Sequence, residues 1–194
     1  MDQMDPRQLL IDITEILDGL SIPYLITGGM AVFVWGRPRF TADIDIVVEL
    51  DSQKGELLEA SLRRLSEKGY IDSSMIDEAI LHHGEFNFID GTTGMKVDFW
   101  VLKNDAFDKE RLRRKIPKAI LGKEVYFTAP EDLILIKALW SKESESTRQQ
   151  EDIASIFAIS GGILDKKYIL RWSKKLDIES VIQPFLTKKI KKPA

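Results

Sequence analysis

Asp43 and Asp45 stand two apart in Asp43-Ile44-Asp45-Ile46-Val47-Val48, a run rich in β-branched residues that reads as a strand. Strand side chains alternate, so both carboxylates leave one face about 7 Å apart while Ile44 and Ile46 take the other. Carboxylates held this close repel unless a cation lies between them. An oxygen-only donor set without His or Cys suits a hard divalent ion, above all Mg²⁺ with part of its water shell. The bland alternative is a half-exposed strand whose polar face is acidic. Asp98 lies in Lys96-Val97-Asp98-Phe99-Trp100-Val101, an otherwise apolar strand. An unpaired charge there costs several kcal/mol, and a shared metal is one partner that would offset it.

Other residues near this set could meet phosphates. Gly28-Gly29 ends one predicted strand and opens a helix, where backbone N–H groups and the helix N-terminus can hold phosphate oxygens. A tight turn is the simpler use of such a pair. Arg37, Arg39 and Thr41 just precede the carboxylates and could donate to phosphates or a sugar. Lys137 sits in Leu133-Ile134-Leu135-Ile136-Lys137-Ala138-Leu139-Trp140, a helix apolar nearly all round and therefore buried. It either snorkels to the surface or meets a phosphate or carboxylate. Asp152 borders the stripe Ile153, Ile156, Phe157 and is either a solvated helix residue or a partner for Lys137 or a nucleotide. His82 and His83 are neighbours facing opposite sides of an extended chain, so they form no joint site. The four tryptophans read as core.

The elements that must position these groups follow from periodicity. Arg7 to Leu20 has helical spacing of apolar residues, and Tyr24 to Thr27 reads as a buried strand. Met30 to Trp35 opens a helix, and Lys54 to Lys68 forms another. Glu85 to Ile89 and Met95 to Leu102 flank a Gly-bearing turn cluster and predict an antiparallel hairpin. A second hairpin is expected from Ile116–Leu121 and Glu124–Phe127 about Gly122-Lys123. From Thr128 the pattern turns helical, with Thr128 and Glu131 at capping-box spacing and Pro130 early in the helix. Further helices are expected over Thr147–Ile159, Asp165–Lys175 and Ile178–Leu186. There is no internal repeat or low-complexity linker.

Composition narrows the chemistry. The 194 residues contain no Cys and two His, which excludes disulfides, thiol catalysis and zinc-thiolate sites and leaves little room for a Ser-His-Asp relay. No apolar run spans a bilayer, and the first residues lack the layout of a signal peptide, so a cytoplasmic location is expected. The net charge of −3 is uneven: from Ile163 onward nine basic residues face three acidic ones, +6 against −9 for the remainder. The run Lys188-Lys189-Ile190-Lys191-Lys192 could attract RNA phosphates, though a short terminal Lys run is usually a solvated tail.

The string Gly28-Gly29-x13-Asp43-x-Asp45, followed by a third Asp on a later strand, resembles the DNA-polymerase-β-like nucleotidyltransferase superfamily. Ile26-Thr27-Gly28-Gly29-Met30-Ala31-Val32, Gly36-Arg37-Pro38-Arg39 and Thr41-Ala42-Asp43-Ile44-Asp45 look like its small prokaryotic branches, including the AbiEii-type toxin nucleotidyltransferases. Pro130 to Lys137 followed by Arg148 to Ile153 looks like the Lys and Asp pair of those branches, so the resemblance spans roughly Leu25 to Phe157. It implies an α/β (α+β) nucleotidyltransferase fold, a mixed sheet flanked by helices over residues 1–127, with an α-helical part over 128–194. It further implies transfer of a nucleoside monophosphate from a nucleoside triphosphate to an acceptor hydroxyl on an RNA or tRNA 3′-end, a protein or a small molecule. In that reading Asp43 and Asp45 hold two Mg²⁺ ions, and Asp98 completes the second metal site and serves as base. Gly28 and Gly29 cradle the triphosphate, Arg39, Thr41, Lys137 and Asp152 serve the nucleotide, and Lys137 also counts among the catalytic residues with Asp43, Asp45 and Asp98. A toxin–antitoxin role with a cognate partner protein also rests on the resemblance. Met30 departs from the pattern, since many members carry Ser there to hold the triphosphate. This motivates the competing reading of a catalytically silent binding or antitoxin-like module.

Overall fold

The computed structural model describes residues 6–144 and 146–187. In chain order these form α1 (Pro6–Gly19), β1 (Tyr24–Ile26), α2 (Gly28–Trp35), β2 (Asp43–Val48), α3 (Ser52–Leu65), β3 (Tyr70–Ile71) and α4 (Ser73–His82). There follow β4 (Glu85–Ile89), β5 (Lys96–Val101), α5 (Ala106–Arg113), β6 (Ile116–Ile120) and β7 (Lys123–Phe127). Four helices complete the chain: α6 (Pro130–Ser144), α7 (Thr147–Ser160), α8 (Lys166–Lys175) and α9 (Glu179–Thr187). The residues gather into two compact units, one of residues 6–30 with Thr41–Phe127, the other of Ala31–Phe40 with residues 128–187.

The first unit is built on a seven-stranded mixed sheet of order β3-β4-β5-β2-β1-β7-β6. β2 runs parallel to β5 and β1 parallel to β7; the other neighbours are antiparallel. Both expected hairpins are present as β4–β5 and β6–β7. Ile44, Ile46, Val97, Phe99, Phe86 and Phe88 alternate onto one face and are fully buried, with the Phe86 and Phe99 rings stacked at 4.9 Å. On the other face, Leu25, Val47 and Leu102 make a small apolar cluster with Trp100 and Leu112. This explains why β2 begins as a half-exposed alternation and ends fully buried.

Three elements of this unit lay outside the sequence expectations. α4 is a ten-residue helix capped by the Asp72 carboxylate on the Ser74 N–H, and it ends at His83 in the left-handed conformation. α5 is capped by Asp105, whose carboxylate accepts from Phe107 and Asp108, and carries few apolar residues to signal it. β3 has only two residues.

In the second unit α6 packs against α7, α8 and α9. Its helix is buried from Pro130 through Ala138, as an all-round apolar pattern requires. The expected capping box does not form. The helix starts at Pro130, the buried Thr128 Oγ1 has no hydrogen-bond partner, and Glu131 accepts from the Asp165 N–H at 2.9 Å. Glu131 therefore serves the start of α8. Trp35, at the end of α2, donates its ring N–H to the Thr128 carbonyl at 2.9 Å, and its own carbonyl accepts from Ser160 at 2.6 Å. No helix among the described residues is long and apolar enough to cross a membrane.

Candidate functional site

Parallel pairing of β2 and β5 sets Asp45 directly beside Asp98 and Asp43 beside Lys96. Residues in register share a face, so all three carboxylates and the Lys96 ammonium project from one side of the sheet. β4 extends the row: Asn87 stands opposite Asp98. On the other flank the Thr27 N–H donates to the Asp45 carbonyl at 2.9 Å, which ties the end of β1 to β2. Asp98 is buried, while Asp43 and Asp45 are half-buried. The sequence thus placed two carboxylates on one strand, and the fold brings the third beside them.

Gly28 has φ +58° and lies against Asp45 so closely that a Cβ would fall 1.7 Å from Asp45 Oδ2. Only glycine meets both conditions, positive φ and no side chain. At Gly29 a Cβ would fall 2.3 Å from Thr41 Oγ1. Both glycines, with Met30, form the first turn of α2, where helix N–H groups lack intrahelical acceptors. Thr41 is not free to meet a phosphate as it stands, because its hydroxyl donates to Asp43 Oδ1 at 2.8 Å.

The donor set suits a hard divalent ion: three carboxylates on one face, two of them in register on adjacent strands. Among the described residues no group of three or more acidic or His side chains is gathered tightly enough to hold a metal ion outright. The contact such an ion would have to break is plain. Lys96 Nζ lies 2.7 Å from Asp98 Oδ2. That bond, with the charges of Asp98, Asp43 and Glu85, outweighs the opposing desolvation and holds the Lys96 ammonium above its ordinary pKa.

Arg39, Lys137 and Asp152 come together in the second unit. Asp152 is buried and accepts from Arg39 Nε at 2.8 Å and a terminal Arg39 nitrogen at 2.9 Å. Lys137 Nζ is 2.7 Å from Asp152 Oδ2 and donates to Gln149 Oε1 at 2.9 Å. Lys137 is 1% exposed, so it does not snorkel, and Asp152 is no solvated helix residue. Burial pushes the Asp152 carboxyl up, but the bonds from Arg39 and Lys137 outweigh it and hold the group below the ordinary range. Arg39 also reaches the Phe40 carbonyl at 3.2 Å. Arg37 lines a cleft of about 390 Å³ with Arg39, Glu151, Asp152 and Ser155. Lys96, Asn87 and Gln149 were not singled out from the sequence. The signal for Lys96 was its i, i+2 spacing to Asp98, whereas Asn87 becomes visible only once the β4–β5 register is known.

The mixed sheet, with its paired carboxylates behind a glycine-opened helix, is a nucleotidyltransferase fold. The antibiotic-resistance factor ANT(2'')-Ia superposes with a TM-score of 0.59 at 16% identity, over 94% of this chain and 97% of that one. An antigenic nucleotidyltransferase-like protein from Paracoccidioides brasiliensis gives 0.62 at 19% identity, over 96% and 90%. The lincosamide antibiotic adenylyltransferase LnuA, solved with lincomycin bound, gives 0.55 at 12% identity, over 81% and 99%. No family model and no curated protein matches the sequence.

Proposed function

We propose that this chain is a nucleotidyltransferase that moves a nucleoside monophosphate from a nucleoside triphosphate to an acceptor hydroxyl, releasing pyrophosphate. The observation that carries the reading is the in-register pair Asp45–Asp98, with Asp43 two residues away on the same face and Gly28 pressed against Asp45. Asp43, Asp45 and Asp98 would hold Mg²⁺, one or two ions, which supply charge neutralisation for the phosphates and acidify the acceptor hydroxyl. Asp98, the most buried of the three, is the residue suited to take the acceptor proton. The N–H groups of Gly28, Gly29 and Met30 are the chain's own donors for phosphate oxygens, which is how a Met can stand where a hydroxyl is usual. Thr41 holds Asp43 in place through its hydroxyl. Lys137 and Asp152 fix Arg39 and, through it, the backbone of Phe40, the residue before Thr41.

For the acceptor, a small-molecule hydroxyl is supported by ANT(2'')-Ia, also solved with adenylyl-2''-tobramycin at a TM-score of 0.53 and 16% identity, and by LnuA with lincomycin. RNA is favoured by the basic end from Ile163 onward, of which Lys166, Lys167, Arg171, Lys174 and Lys175 lie in α8 and the run from Lys188 lies outside the described residues. The test incubates each labelled triphosphate and Mg²⁺ with tobramycin, lincomycin, total RNA or lysate protein. Labelled product from the parent chain and none from D45N supports the reading. Equal transfer by D45N sinks it. If no acceptor is labelled and calorimetry finds no Mg²⁺–triphosphate binding, the silent-module reading takes its place. A toxin-like role adds one expectation, that overexpression slows growth and D45N does not.

A further inference from the structure

Lys96 stands where a metal ion would compete. It precedes Asp98 by two residues on β5, shares its face, and lies beside Asp43 across the parallel register. Its ammonium is 2.7 Å from Asp98 Oδ2, and the two side chains differ in access: Asp98 is 12% exposed and Lys96 46%. A carboxylate this little exposed needs a counter-charge whenever the chain is folded, whereas a divalent ion is present only part of the time. An exposed, four-carbon stem can meet that need and still swing aside, which a buried lysine could not. We propose that Lys96 is the resident counter-cation of Asp98 and that it competes with the divalent ion for this carboxylate, keeping the site's affinity for free metal low. The inference rests on the reading of Asp43, Asp45 and Asp98 as metal-holding residues and concerns how that site is regulated.

The consequence is a lysine that limits metal binding, so its removal should tighten it. An ammonium already at hydrogen-bond distance from the carboxylate must be displaced before another cation can take its place, so its charge is set against the incoming ion. The probe is Mn²⁺, its free fraction followed by electron paramagnetic resonance during titration of the full chain. K96M should bind Mn²⁺ at least about tenfold more tightly than the parent, and the gain should vanish in K96M/D98N. K96Q, which keeps a polar stem, provides the same readout if K96M folds poorly by circular dichroism. Folded K96M and K96Q that bind Mn²⁺ no more tightly than the parent, while D45N abolishes binding, overturn this inference alone. Absence of Mn²⁺ binding in the parent and every Lys96 variant overturns the metal-holding reading along with it.

Discussion

Replacing Asp152 by Asn tests whether the buried charges of the second unit act as a set. The carboxylate is the common acceptor for Lys137 and for two nitrogens of Arg39. Asn keeps the shape but loses the charge, and its NH₂ group would face a donor. Arg39, 26% exposed, can turn part of its guanidinium to water; Lys137, at 1%, cannot. Removing one member of a buried ion pair costs about 3–5 kcal/mol, and Arg39's exposure places the expected loss toward the lower end. With a urea slope of about 1–3 kcal/mol/M, the unfolding midpoint should fall by about 1–3 M. Tryptophan fluorescence suits the assay, because Trp35, Trp140 and Trp172 belong to this unit and only Trp100 to the other. K137M should be milder, since Asp152 keeps both Arg39 bonds. The double variant K137M/D152N should be no less stable than D152N alone, because the stranded ammonium is gone. A D152N midpoint indistinguishable from the parent would refute the reasoning.

The same carboxyl carries a pH signature. Its folded pKa is depressed, so its stabilisation is complete above the ordinary carboxylate range and is lost as pH falls through the folded value. The penalty of D152N should therefore be full at neutral pH and shrink below about pH 4 in parallel urea titrations. Gly28→Ala should leave circular dichroism near that of the parent yet displace the Asp45 carboxylate, lowering nucleotidyl transfer by about 100-fold; a variant of near-normal rate would show that Asp45 need not stay where it is. Tyr168→Phe removes a buried 2.6 Å bond to Asp132 Oδ1 and should lower stability by about 1–3 kcal/mol in the urea assay, with transfer unchanged in a chain still folded.

Legibility in the sequence followed how local each signal was. β2 was readable because alternation and β-branching act within six residues, and β2 indeed spans Asp43–Val48. The β4–β5 hairpin was readable from a single turn cluster. α4 and α5 gave weak signals, since their helices are set by Asp72 and Asp105 caps and by contacts with distant residues rather than by a long apolar stripe. Thr128 misled because capping-box spacing says nothing of where the helix starts, and Pro130 fixes that start one residue too late for it. For the site, Asp43 and Asp45 were evident from spacing, and Asp98 from the cost of burying a charge. Lys96 stood at i, i+2 from Asp98 within one strand and was passed over, and the Lys137–Asp152 pair was one of two open alternatives until helix packing decided it; the placing of Asp98 beside Asp45 depends on strand register, which one-dimensional patterns do not carry.

The second unit is discontinuous in the chain, and this bears on the order in which it can be completed. Trp35 and Arg39 emerge early in synthesis, yet their partners Thr128, Asp152 and Ser160 lie 93, 113 and 125 residues later. Until those residues exist, Trp35 at the end of α2 has no buried seat, and Arg39, four residues further on, has water in place of its carboxylate. The sheet can pair before then, because its strands all precede Thr128. A fragment cut after Phe127 would thus be a sheet with a ten-residue orphan inserted between β1 and β2, a natural grip for a chaperone during synthesis and for a protease when the helices fail to arrive.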